Sequence, residues 1–151
     1  MMRISKKLLF ALEAVLDIAY HSGGEPVQSS AITRRQKIPK RYLEQVLQQL
    51  VRAGVLIGVR GPRGGYRLAR ERRRITLGEV ARTVRELETT KDPLENPAGA
   101  ELGRRILRPL WMRIFDETMA RLDSLTIEDL CNQAAALGVA SEAEEKLDFS
   151  I

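Results

Sequence analysis

Apolar side chains recur every three to four residues between Ser5 and Ser22, with Leu8, Leu12, Val15 and Ala19 on one stripe and Ala11, Leu16 and Ile18 widening it. That period predicts an amphipathic first helix. Gly23-Gly24-Glu25-Pro26 has turn composition, and Val27 begins a short extended piece. Ser29 to Gln36 opens on capping residues and carries few apolar positions, which predicts a short second helix broken by Lys37-Ile38-Pro39. From Pro39, a residue suited to a helix's first turn, Leu43, Val46, Leu47 and Leu50 paint one face of a longer third helix that ends at Gly54. Val55 to Val59 and Tyr66 to Leu68 are strand candidates joined by Arg60-Gly61-Pro62-Arg63-Gly64-Gly65. Pro62 presets a turn there, and the glycines supply backbone angles that other residues resist.

After a basic run, Arg70-Glu71-Arg72-Arg73-Arg74, the sequence Thr76-Leu77-Gly78-Glu79 has the form of a capping box and predicts a helix to about Val84. Glu86 to Gly99, with Asp92-Pro93 and Asn96-Pro97, shows no steady period and reads as a loop. Helical spacing resumes from about Glu101 through Ile106, Leu107, Leu110, Trp111, Ile114, Phe115, Met119 and Leu122. Pro109 removes the bond to the Arg105 carbonyl, so this helix either kinks there or starts near Arg108. Its apolar surface is wider than one core-facing stripe needs, and two readings stay open: burial in the chain's own core, or contact with the same helix of another subunit. Thr126 and Asp129 resemble a capping box for a last helix running to about Leu137, before Gly138.

The whole reads as a mainly α chain with a small β wing. A winged helix-turn-helix DNA-binding domain spans 1–85 and a loop spans 86–100. Dimerisation helices span 101–138, including a long C-terminal dimerisation helix, and a flexible acidic tail spans 139–151.

Charge sharpens this picture. Residues 1–74 hold sixteen Lys or Arg against five Asp or Glu, whereas residues 75–151 hold nine against fifteen, so the formal net charge of +5 divides into +11 and −6. A polyanion-binding surface therefore belongs to the first half. On the third helix, the face opposite the apolar stripe carries Lys40, Arg41, Glu44, Gln45, Gln48 and Gln49, cations and bidentate hydrogen-bonding groups suited to base edges. Arg60 and Arg63 at the hairpin tip suit a minor groove, where the potential is most negative, although solvated surface arginines are the alternative. Arg3, Lys6 and Lys7 oppose the first helix's dipole and are suited to a phosphate or to water.

Other chemistry is sparse. The lone histidine, His21, is expected at a helix C-terminus or on the surface, and the single cysteine, Cys131, as a packed small side chain. One cysteine excludes an intrachain disulfide and any multi-cysteine metal site. No Cys/His pair, apolar carboxylate pair or phosphate-cradling loop points to an enzyme. The absence of a long apolar run and of a secretory cleavage pattern sets the expectation of a cytoplasmic protein.

The runs Pro39-Lys40-Arg41-Tyr42-Leu43-Glu44-Gln45, Arg60-Gly61-Pro62-Arg63-Gly64-Gly65-Tyr66 and Ile75-Thr76-Leu77-Gly78-Glu79-Val80 resemble the Rrf2 family of bacterial winged-helix transcription regulators, in its IscR/CymR-like form. The resemblance covers about the first 130 residues. It implies a homodimer joined through the long helix after the loop and reading a palindromic operator in double-stranded DNA. The helix bearing Tyr42, Glu44 and Gln45 would enter the major groove, and Arg60 and Arg63, beside Gly61 and Gly64, the minor groove. Arg63 stands where the family often has glycine. Many relatives hold an iron-sulfur cluster with three cysteines between loop and dimer helix; this chain offers Asp92, Glu95, Glu101, Arg105 and Arg108 there, so no cofactor or metal is expected.

The terminal Asp148-Phe149-Ser150-Ile151 is similar to the C-terminal peptide with which some serine acetyltransferases enter the active site of O-acetylserine sulfhydrylase. A free carboxylate beside an apolar side chain suits a backbone anion nest next to an apolar pocket. The resemblance thus implies a repressor of cysteine or sulfur metabolism whose tail that enzyme captures. An ordinary frayed terminus, a protein-binding adaptor on a winged-helix scaffold, and a regulator sensing another small ligand or a redox signal are the alternatives.

Overall fold

The structure, a computed structural model, describes residues 4–87, 92–96 and 98–143. Helix α1 (Lys6–His21) starts where Ser5 Oγ accepts from the Leu8 N–H at 3.2 Å. Its Ala11, Ala14, Val15 and Ile18 are fully buried, and α2 (Ser29–Gln36), α3 (Lys40–Arg52), α4 (Leu77–Leu87) and α6 (Ile127–Ala136) all pack against it. Small residues on α1 let several helices approach one axis, while Ile32, Leu43, Leu47 and Val80 fill the gaps between them. Each fully buried Leu or Ile contributes about 1.5–3 kcal/mol, so this cluster carries most of the domain's stability.

The sequence pattern holds at α3, whose buried residues are Leu43, Val46, Leu47 and Leu50. Pro39 stands just before the helix with φ −58°, and Lys37 ends α2 in the left-handed region at φ 55°, so the short turn reverses the chain around the buried Ile38. At α2 the expectation shifts by one residue: Gln28 takes the capping position with no side-chain cap bond, and Ser29 is already helical. Strands β1 (Leu56–Val59) and β2 (Gly65–Leu68) pair antiparallel with Leu56 opposite Leu68 and Val59 opposite Gly65. Val27 supplies the expected extended piece by exchanging two 2.8 Å backbone hydrogen bonds with Tyr66.

At α4, Thr76 Oγ1 accepts from the Glu79 N–H at 3.2 Å. The Thr126–Asp129 capping box at α6 is complete in both directions, at 2.9 and 3.1 Å. An isolated bridge, Leu77 N–H to Leu125 O and Ile127 N–H to Ile75 O at 2.9 Å each, clamps the starts of these two helices together.

Helix α5 (Arg108–Asp123) starts at Arg108, as one of the two readings has it, and is preceded by helical winding of a wider register. Gly103–Leu107 forms a π turn in which the Arg108 N–H donates to the Gly103 carbonyl five residues back. That wider register absorbs the donor missing at Pro109, and the helix continues through it. No residue of α5 is buried, and Leu102, Ile106, Leu107, Leu110, Trp111, Met112, Ile114 and Phe115 are exposed. Burial in the chain's own core, one of the two readings for this helix, is thereby excluded for the single chain.

Candidate nucleic-acid interface

Because α3 spends one face on the core, its other face is left to solvent. Lys40, Arg41, Tyr42, Glu44, Gln45 and Gln48 are all exposed, and Gln49 is half-buried. The Lys40 ammonium lies 4.0 Å from the Glu44 carboxylate, an exposed pair worth little, so both groups stay available. Tyr42 leans on Phe10 of α1 with ring centroids 6.2 Å apart, which fixes the direction in which its hydroxyl projects. Lys7 joins Tyr42, Gln45, Gln48 and Gln49 around a shallow hollow of about 230 Å³. The packing of α1 across α3 therefore brings a cation to the polar face, which the spacing within either helix alone does not reveal.

The hairpin between β1 and β2 holds Arg60, Gly61, Pro62 and Arg63 exposed at its tip. Neither arginine pairs with a carboxylate among the described residues. Gly64 differs from the expectation of a groove contact. It is buried, its N–H donates to the Gly61 carbonyl at 2.9 Å, and a Cβ there would lie 2.2 Å from the Val59 oxygen. Only glycine closes this turn, so Gly64 shapes the tip on which Arg60 and Arg63 stand exposed.

The basic run after the wing behaves otherwise. Arg70 pairs with Glu79, Arg72 with Glu128 at 3.8 Å, and Arg73 with Glu71, so these three cations each stand beside a carboxylate, whereas Arg74 is exposed and in no ion pair among the described residues. Beneath α2, Arg35 donates to both oxygens of the buried Asp17, at 2.9 and 2.7 Å, and Gln36 adds a third bond at 2.8 Å. The hydrogen bond to Asp17 is the main cause of an Arg35 pKa above the ordinary guanidinium value, and burial opposes it.

His21 is the last residue of α1, so of its two expected places it takes the helix C-terminus rather than the surface. It is buried, and its Nδ1 accepts from the Glu142 N–H at 3.1 Å. Cys131 is buried as expected, and burial raises its thiol pKa, with Arg72 pulling weakly the other way. The tail beginning at Ser141 is not free at its root, because Ser141 and Glu142 are bonded to α1 and α2. Asp148, Phe149, Ser150 and Ile151 lie outside the described residues.

An iron-sulfur cluster does not suit the donors where the loop meets α5. Asp92 takes Arg85 at 2.9 Å, Glu101 takes Arg105 at 2.7 Å, and the Arg108 guanidinium donates to the Asn96 and Ala98 carbonyls. The set contains no thiolate, and the chain's single cysteine is committed to α6.

The profile of a family described as "Rrf2: Iron-dependent Transcriptional regulator" matches residues 4–133. The chain belongs to the Rrf2 family of transcriptional regulators. It is 35% identical over 145 residues to the HTH-type transcriptional regulator IscR of Photorhabdus laumondii subsp. laumondii, covering 95% of this chain and 87% of that protein. Among solved structures, T. potens IscR superposes with a TM-score of 0.74 at 30% identity, covering 92% of this chain and 93% of that one. CymR, described as the global cysteine regulator of B. subtilis, superposes at 0.70 with 34% identity, covering 88% and 98%. The helical Rrf2 architecture with a two-stranded wing is thus established for this chain, and so is its standing as a transcriptional regulator. No helix among the described residues is long and apolar enough to cross a membrane.

Proposed function

We propose that this Rrf2 protein is a homodimeric repressor that binds a palindromic DNA operator with α3 in the major groove and the wing in the minor groove. The observation that carries this reading is a contrast between cations. Arg60 and Arg63 at the wing tip are exposed with no carboxylate partner among the described residues, whereas Arg70, Arg72 and Arg73 next along the chain each stand beside a glutamate. Unpaired cations beside a helix face of Lys40, Arg41, Glu44, Gln45 and Gln48 are what phosphate positioning and base reading require. The exposed apolar residues of α5, Trp111 and Leu110 among them, support pairing with a second copy.

A titration of labelled duplex across a salt series tests the DNA reading. A steep fall of affinity with salt, together with a preference for duplex over heparin, is expected; salt-insensitive binding to protein without duplex binding would point to an adaptor instead.

The regulator acts without a cluster, because the loop and α5 offer carboxylates already paired with arginines where thiolates are needed. Similarity to a global cysteine regulator supports a role in cysteine metabolism. O-acetylserine sulfhydrylase is the partner suited to Asp148, Phe149, Ser150 and Ile151, through the free carboxylate and apolar last side chain that the sequence carries. Deleting Ile151 is expected to abolish binding to the sulfhydrylase; equal affinity of the truncated chain would end that part of the proposal.

A further inference from the structure

Beyond α6 the chain returns to α1. Gly138, at φ +76°, redirects it, and the Tyr20 hydroxyl donates to the Val139 carbonyl. Ser141 is buried and its Oγ donates to the Tyr20 carbonyl at 2.7 Å, satisfying one of the acceptors that the end of α1 leaves open. The Glu142 N–H donates to His21 Nδ1 at 3.1 Å. Ala143 then lies against Gly23, where a Cβ would come within 3.1 Å of the Ala143 Cβ. Residues 139–143 are thus a strap seated on the C-terminal turn of α1.

The seat aims the Glu142 carboxylate at α2, with one oxygen 2.6 Å from Arg35 Nη1 and the other 3.3 Å from Arg34 Nη2. The two arginines differ in what this contact does to them. Arg35 is 12% exposed and already held by Asp17, whereas Arg34 is 69% exposed and pairs with no other carboxylate among the described residues. Glu142 therefore covers the charge of one outward-facing cation on the first helix of the helix-turn-helix. Glu142, Arg35, Gln28, Arg63 and Gly64 also line one groove of about 560 Å³ between α2 and the wing, so its negative charge stands on the face shared with the wing arginine.

We propose that residues 139–143 are an autoinhibitory strap in which Glu142 stands in for a DNA phosphate on Arg34, so that duplex engagement and strap release compete for the same cation. The inference rests on the duplex-binding reading, in which the first helix of the motif crosses the phosphate backbone. An exposed Arg–Glu pair is weak, which makes the strap displaceable, and DNA of high charge density is the stronger competitor.

The test measures anisotropy of a labelled mixed-sequence duplex, about three helical turns long, with the full chain, E142Q, R34Q and the double variant at salt between about 50 and 200 mM. The E142Q variant keeps the backbone bond to His21 and removes only the charge. It should bind more tightly than the unmodified chain, with a log–log salt slope steeper by about 0.9, so that its advantage is about threefold to fourfold larger at the low end of that range. In the R34Q background the same change should give no such gain. Equal affinity and slope for E142Q and the unmodified chain would overturn the proposal, as would a gain that persists without Arg34. A lowered melting temperature with unchanged binding would also overturn it, leaving a structural brace. If the unmodified chain itself shows no salt-dependent duplex binding, the duplex reading fails, and the strap's role with it.

Discussion

Asp17 and Arg35 show what a single pair does when water is removed. Asp17 has no exposed side-chain surface and receives three hydrogen bonds, two from Arg35 and one from Gln36, which lock α2 onto α1. Removing the cation leaves a buried carboxylate unpaired, so R35M should cost about 3–5 kcal/mol in chemical denaturation. Arg82 and Asp123, joining α4 to the end of α5 at 2.6 and 2.7 Å, are the solvent-facing counterpart. The hydrogen bond from Arg82 holds the Asp123 carboxyl below the ordinary carboxylate range. The stability linked to this carboxylate is therefore present above its unfolded pKa and lost as pH falls through the lowered folded value. D123N should melt below the unmodified chain at neutral pH, and the two melting curves should converge once the pH drops well under the carboxylate range. Cys131 gives a third outcome: burial raises its thiol pKa further and shields the sulfur from solvent. Alkylation by iodoacetamide should be slow in the folded chain and fast in denaturant; rapid reaction of the native protein would show that the thiol is open.

Among the elements, α3 and the wing were the most legible in the sequence. The four buried residues of α3 are those the helical period marks, because a two-faced helix with one partner layer has little freedom in how it turns. The hairpin was legible through Pro62 and its glycines, although only the closed turn shows that Gly64 is structural. The strap was not legible. It has no period, and its partners lie far back in the chain, Tyr20 being 121 positions from Ser141. The π turn before α5 was half legible, since Pro109 announces a missing donor without saying which register absorbs it. At this scale, R60A and R63A should each weaken duplex binding with little effect on sequence preference, whereas E44A or Q45A should change the preferred base by about 1–3 kcal/mol of discrimination. A binding selection that returned the same preferred sequence for E44A and Q45A would remove α3 as the reading helix.

The molecule as a whole divides its labour by charge and by exposed apolar surface. The basic first half carries α2, α3 and the wing, and the later half carries α5, whose apolar residues are left uncovered in one chain. Exposed apolar strips of this kind mark interaction surfaces, and in the proposed homodimer a second α5 related by a two-fold axis would cover this one with the same residues. Replacing Trp111 or Leu110 by Asp should shift the protein to a monomer in sedimentation and weaken operator binding, because one wing unit alone reads one half-site. Selection of bound duplexes from a random pool by the purified full chain is the sharpest test of operator reading by a dimer. Enrichment of a palindrome whose half-sites are separated by about 10 base pairs or a multiple of it is expected. A pool that emerges with no enriched sequence, or with a single half-site bound by a monomer, would contradict that reading.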